Sequence, residues 1–228
     1  GRIKNSNSTW VNGRALVEDL TSRLNRPLRL DNDANCFALS EALDGGGKGA
    51  RVVFGVILGT GTGGGVIVDG RPLVGVNAIG GEWGHNPLPW PTPEEVPGPP
   101  CYCGQRGCLE TFLSGPGLSR DYEADTGTWR SAPDIAKAAR EDEPAATAAL
   151  ERYEDRLARG LATVINLIDP EIVVLGGGLS NLESLYARVP ALWTAYVFSD
   201  RVDTQLVRPV HGDSSGVRGA AWLWERTV

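Results

Sequence analysis

Four residues in one stretch of the chain can hold a metal ion. His85 is followed by Cys101, Cys103 and Cys108, with Glu82 and Glu110 close by. Thiolates and a neutral imidazole suit tetrahedral zinc. A lone histidine is more often a satisfied structural group. An odd, tight cluster of cysteines points instead to ligation, and not to a disulfide framework. With all four positions filled by protein, such a zinc is structural and not catalytic. It would also fix Glu82 and Glu110 in space, and paired carboxylates are good acceptors for sugar hydroxyls.

Three other segments are candidates. Leu58 to Gly65 places Gly59, Thr60, Gly61, Thr62 and Gly63 between two apolar runs. Glycines there let backbone N–H groups approach a phosphate, and both threonines offer hydroxyls. No Gly-Lys-Ser/Thr follows, so this is not a P-loop; a plain turn fits the same glycines. Gly176, Gly177 and Gly178 follow a buried-strand run and precede a helix, the usual ligand position in an α/β sheet, or again a turn. Asp31-Asn32-Asp33 opens a helix. A carboxylate there caps the helix or serves as a general base, and the residues alone do not separate the two.

The elements that must position these groups alternate. Leu16, Val17, Leu20 and Leu24 have helical spacing, Pro27 stops that run, and Leu28 to Leu30 reads as a short strand. A second helix is expected over Ala34 to Leu43. Strands are expected over 51–58, 66–68, 71–74 and 171–175, with Asp69-Gly70 as a hairpin turn and 204–207 as a last strand. Pro87 to Pro100 is a proline-rich loop. Leu150, Tyr153, Leu157, Leu161, Val164, Ile165 and Ile168 give a long helix over Pro144 to Ile168 its apolar side. Helices over Leu182 to Tyr196 and Gly219 to Glu225 complete an α/β pattern.

The 228 residues suffice for one sizeable core or two small lobes, and 41% are apolar, as in a globular protein. The net charge of -6 argues against a nucleic-acid face. No run of about 18 apolar residues suggests a membrane span. With no signal segment and clustered free cysteines, the expected location is cytoplasmic. The chain starts at Gly1 and has no methionine, so its first part is expected to be missing.

Taken together, Leu58 to Gly65, Gly81-Glu82-Trp83-Gly84-His85, Cys101 to Glu110 and Asn32-Asp33-Ala34-Asn35 resemble the signature of the ROK family of sugar kinases. Asn86 to Trp90 and His211 to Gly219 look closest to its bacterial fructokinases (manno-fructokinases), with the N-acetylglucosamine kinases as near neighbours. The resemblance implies an actin-like (ribonuclease H-like) fold of two lobes with the site between them. It implies an ATP- and Mg²⁺-dependent hexose kinase acting on the 6-hydroxyl of fructose, and of mannose as well. The alternatives are an N-acetylglucosamine or glucose kinase, or a sugar-sensing transcriptional regulator of the same family.

By the same resemblance, Asp33 is the base. Asn32, Glu82, His85 and Glu110 hold the sugar, with His85 also on structural zinc. Gly59 to Gly63 face the ATP phosphates, and Gly176 to Gly178 lie near the adenosine. The family's Asp-x-Gly-Gly-Thr hairpin has no counterpart here. Residues 1–33 are therefore expected to be the remnant of an N-terminal lobe, with a helix over 217–228 packing on it. Residues 34–216 would form the C-terminal lobe. The expected partners are the sugar, ATP and a second copy of the chain in a homodimer, without nucleic acid or membrane.

Overall fold

The computed structural model describes residues 2–4 and 8–224. In chain order it forms α1 (Leu16–Leu24), α2 (Asp33–Asp44), β1 (Val52–Leu58), β2 (Thr62–Val68), β3 (Arg71–Pro72), α3 (Leu109–Leu113), α4 (Gly115–Thr126), α5 (Ala132–Arg140), α6 (Pro144–Ile168), β4 (Ile172–Gly176), α7 (Leu185–Trp193), β5 (Gln205–Val207) and α8 (Ser215–Trp222). The strands make one sheet in the order β3-β2-β1-β4-β5. β1 and β2 form an antiparallel hairpin, while β4 and β5 run parallel to β1.

Successive side chains of a strand point to opposite faces, and β1 divides its residues accordingly. Phe54, Val56 and Leu58 join Leu157, Leu161 and Ile165 of α6 in the larger core. Val53 joins Ile67, Val174 and the α2 residues Phe37, Ala38 and Leu39 on the other face. α2 is itself covered by α8, so every residue from Ala34 to Ala42 is buried. The two helices approach so closely that a Cβ on Gly219 would lie 1.7 Å from the Cys36 carbonyl oxygen. Glu41 is buried at this junction, where it accepts hydrogen bonds from Ser215 Oγ at 2.6 Å and Gly46 N at 2.9 Å. Burial pushes its carboxyl up, but the donors from Ser215, Gly46, Val210 and His211 outweigh that and lower it.

A second buried network ties the proline-rich loop to α6. Glu95 accepts from Arg156 Nε at 2.7 Å and from both terminal nitrogens of Arg159 at 2.8 and 2.9 Å. Arg156 also bonds Asp121 of α4 at 2.6 Å, and Arg159 donates to the Trp90 carbonyl at 2.8 Å. Buried charges paired and hydrogen-bonded to one another in this way fix geometry.

Several expected elements differ. Residues 28–30 form no strand, because the sheet ends at β3 and β5 and offers them no partner. β2 begins at Thr62 and not at Val66, so half of the glycine-rich segment is strand. The strand expected to Val74 ends at Pro72, and α7 is shorter than expected at both ends. The last helix starts at Ser215, packs on α2 and ends at Trp222; residues 225–228 of the expected helix lie outside the described residues. Among the described residues, no helix is long and apolar enough to cross a membrane.

Candidate active site

Local packing explains how the acidic segment before His85 is held. Trp83 is buried, donates through Nε1 to the Gly160 carbonyl at 3.2 Å and meets Phe54 edge-on. A Cβ on Gly84 would lie 1.9 Å from the Thr62 carbonyl oxygen, so the segment lies directly on the start of β2. Glu82 and His85 flank this anchor on either side.

The chain returns to the same place through a short ladder. Leu88 N bonds Gly107 O at 2.9 Å and Leu109 N bonds Asn86 O at 2.8 Å, which sets His85 beside Cys108 and Glu110. Between them, Cys101 N bonds Gln105 O at 2.9 Å and Gly104 N bonds Cys101 O at 3.0 Å, closing a knuckle. The ligand atoms of His85, Cys101, Cys103 and Cys108 all lie within 4.8 Å of one another. His85 Nδ1 is 3.5 Å from Cys101 Sγ, and Cys103 Sγ is 3.6 Å from Cys108 Sγ. Such spacings suit four donors around one ion with Zn–S bonds of about 2.3 Å. Three thiols and an imidazole nitrogen are also the donor chemistry zinc prefers, so the residues present fit that ion.

A cleft of about 800 Å³ gathers the remaining candidates: Asn32, Asp33, Gly59, Thr60, Gly61, Thr62, Gly63, Glu82, His85 and Glu110 all line it. Asn32 is the N-cap of α2, its Oδ1 accepting from Ala34 N at 2.8 Å. That leaves its Nδ2 to offer to a ligand. Asp33 is the first helical residue, is exposed, and accepts from Ala34 N through Oδ1 at 2.9 Å. Glu110 Oε2 accepts from Thr62 N at 2.9 Å. Two residues on the cleft wall, Asn35 and Tyr102, were not among the site residues expected from sequence. Asn35 donates to Asp31 Oδ1 at 2.8 Å and keeps a buried, unpartnered Oδ1. Tyr102 Oη lies 2.9 Å from His85 Nε2.

A second cavity of about 1020 Å³ lies next to the cleft and shares Gly59 and Thr60 with it. Its walls come from α4, α5 and the turn after β4, including Gly115, Trp129, Ala136, Gly178 and Leu179. Of the three glycines after β4, Gly178 lines this cavity. Gly176 and Gly177 do not line either cavity. A Cβ on Gly176 would meet the Phe37 ring at 2.5 Å, and Gly177 has φ +78° with its Cβ position 2.4 Å from Leu58 O. These two glycines serve close packing. The turn proper is Gly59 to Gly61, closed by Gly59 N to Gly61 O at 3.0 Å. Gly65 is glycine because a side chain would strike the Ala34 carbonyl at 2.6 Å.

An acidic cleft that meets a second cavity at a glycine turn suits the class of ATP-dependent sugar phosphotransferases. Comparison with known proteins agrees. The ROK family pattern matches residues 2–227. The chain is 44% identical over 227 residues to an N-acetyl-D-glucosamine kinase of Erwinia tasmaniensis, covering 98% of this chain and 75% of that protein. A ROK hexokinase from Thermus thermophilus superposes with a TM-score of 0.82 at 31% identity, covering 92% of this chain and 69% of that one. A ROK family glucokinase from Streptomyces griseus, solved with glucose and AMPPNP, superposes with a TM-score of 0.81 at 27% identity, covering 93% and 73%. The chain belongs to the ROK family.

Proposed function

We propose that this chain carries the sugar and nucleotide sites of an ATP-dependent N-acetyl-D-glucosamine kinase acting on the 6-hydroxyl. The observation that carries the reading is the convergence of Asn32, Asp33, Glu82, His85 and Glu110 on one cleft that continues through Gly59 and Thr60 into the second cavity. The sugar's hydroxyls are held by Asn32, Glu82, His85 and Glu110. Asp33 takes the proton from the attacking hydroxyl, since an alcohol is a poor nucleophile until that proton is leaving. The turn from Gly59 to Gly63 faces the phosphates and offers them the N–H groups of Thr60 and Gly61, and the base and ribose fill the cavity lined by Trp129, Ala136 and Gly178. Mg²⁺ brought with ATP supplies charge neutralisation along the phosphates. Zinc on His85, Cys101, Cys103 and Cys108 supplies the cross-link that fixes Glu82 and Glu110.

N-acetylglucosamine replaces fructose as the favoured sugar on two grounds. The Erwinia tasmaniensis relative carries the N-acetylglucosamine kinase name at 44% identity. The two fructokinase-like stretches also have other duties: His211 bonds Asp44 at 2.9 Å behind α2, Leu88 is buried in the larger core, and neither stretch lines the cleft. An ATP-coupled assay with N-acetylglucosamine, glucose, mannose and fructose tests the reading. The highest kcat/KM is expected with N-acetylglucosamine. A preference for fructose overturns the substrate, and turnover of no hexose overturns the activity.

A further inference from the structure

Asn32 and Asp33 are both exposed, so packing alone does not hold them. An exposed residue keeps its conformational freedom unless hydrogen bonds remove it. Directly behind them the helix is fixed. Ala34 and Asn35 are buried, and α2 lies so close to β2 that a Cβ on Gly65 would meet the Ala34 carbonyl oxygen at 2.6 Å. What remains to be set is the single step by which the chain enters α2.

Asp31 spans that step. Its Oδ1 accepts from the Asn32 N–H at 2.7 Å and from Asn35 Nδ2 at 2.8 Å. One carboxylate oxygen thus joins the backbone just before the helix to a side chain on its first turn, and Asn32 and Asp33 lie within the loop so closed. Asn35 is only 6% exposed, and its Oδ1 has no partner. Among the described residues its side chain bonds only Asp31, which makes it a buried anchor for that carboxylate. Helix capping is a separate matter. Asn32 Oδ1 and Asp33 Oδ1 accept from Ala34 N at 2.8 and 2.9 Å, and Asp31 takes no part in it. Asp31 itself stands on the cleft wall with the residues it holds.

We propose that Asp31 is a positioning residue for phosphoryl transfer. It fixes the Asn32-Asp33 step, so that the Asn32 amide and the Asp33 carboxylate address one and the same sugar. This assignment rests on the kinase reading above and adds to it what holds the base in place. Preorganisation of this kind weighs on the chemical step more than on stability, because a displaced base is still folded but misses its proton.

Asp31→Ala and Asp31→Asn in the full-length, zinc-loaded protein test it. Ala removes the acceptor, whereas Asn keeps a carbonyl oxygen in its place and loses only the charge. Asp31→Ala is expected to lower kcat/KM for N-acetylglucosamine by a factor on the order of 10², through kcat as well as KM, with the KM for ATP near wild type. Asp31→Asn is expected to recover kcat/KM to within about threefold of wild type. Asn35→Ala, which removes the other end of the bridge, is expected to lose kcat in the same direction. Each variant is assayed well below its own melting temperature, so the folded fraction does not enter. A lowered melting temperature in Asp31→Ala with wild-type kinetics overturns the assignment, as do wild-type kinetics in Asn35→Ala. Equal losses in Asp31→Ala and Asp31→Asn overturn it too, since the charge and not the placement would then matter. Turnover of no hexose by the wild-type protein overturns the kinase reading, and this assignment with it.

Discussion

Glu110 accepts a hydrogen bond from the backbone N–H of Thr62 at 2.9 Å, so helix α3, which opens directly after Cys108, and the start of β2 are tied through one carboxylate oxygen. The contact is close-packed as well: a Cβ on Gly61 would lie 2.5 Å from the same oxygen. In the proposed reading, the sugar side and the phosphate side of the cleft share this one link. Preorganisation of this kind is what positions reactants for phosphoryl transfer.

Glu110→Gln follows from that link. The Gln carbonyl still accepts from Thr62 N–H, so the turn keeps its shape. The charge that strengthens hydrogen bonds to the sugar is gone. The KM for the sugar is expected to rise about tenfold or more, while the KM for ATP and the melting temperature stay near wild type. Steady-state kinetics with each substrate varied in turn checks this. An unchanged sugar KM would remove Glu110 from the sugar site.

Metal analysis of protein purified without chelator is expected to return about one zinc per chain. Cys103 is exposed while Cys108 is buried, so a strong chelator has a route to the ion. Stripping it should release the knuckle and the proline-rich loop and abolish sugar binding. The sheet and α6, which are held by the larger core, should persist. Far-ultraviolet circular dichroism paired with sugar titration separates the two effects. Sugar binding that survives complete removal would refute the role given to the metal.

Glu95 sets an acid limit on the fold. Burial pushes its carboxyl up, but the hydrogen bonds from Arg159 and Arg156 prevail and hold it at about 2. A depressed carboxyl contributes stability that is fully present above its unfolded value, near 4.5, and is lost as pH falls through about 2. The shift corresponds to a contribution on the order of 3 kcal/mol. Glu95→Gln leaves two buried guanidinium groups short of a counter-charge and should cost a similar amount at pH 7. It should also flatten the loss of stability between pH 4.5 and 2. Denaturant melts at several pH values check both, and equal slopes for the two proteins would count against the network.

The clustering of His85 with the three cysteines and most of the cleft lining were legible because each part has a local signal. Ligand spacing marks His85 and the cysteines, and the helix opening marks Asn32 and Asp33. That cluster then brings Glu82 and Glu110 along by sequence proximity. Glycines were less legible, since a missing Cβ serves a phosphate and a packed helix equally. Gly59 stands at the turn, whereas Gly65 and Gly176 make room for Ala34 and Phe37. Arg156 and Arg159 lie on the buried side of α6, where only apolar residues were expected. Their partner Glu95 is 61 residues from Arg156 and leaves no local trace. Tyr102, a one-residue spacer between ligands, has no periodic signature either. The helices α4 and α5 did carry a signal. Ser114 and Ser131 cap them, each followed by a proline in the first turn, which is the ordinary start of a helix.

Asp33 offers the sharpest test, because the structure separates capping from chemistry. Asn32, not Asp33, is the N-cap of α2, and its Oδ1 reaches Ala34 N at 2.8 Å. Asp33 adds a second acceptor to that same N–H at 2.9 Å while lining the cleft. An Asn at position 33 keeps an acceptor oxygen and the side-chain shape, so the helix start should be retained. It cannot take up a proton at neutral pH, so the step that frees the sugar oxygen for attack loses its base. Asp33→Asn is expected to lower kcat by a factor on the order of 10² or more, with sugar binding and melting temperature close to wild type. A role confined to the helix start predicts the reverse, a near-normal kcat, since Asn is as good a cap as Asp. Measuring kcat, sugar affinity and melting temperature on the one variant decides between them, and a near-normal kcat would leave the attacking hydroxyl without an assigned base.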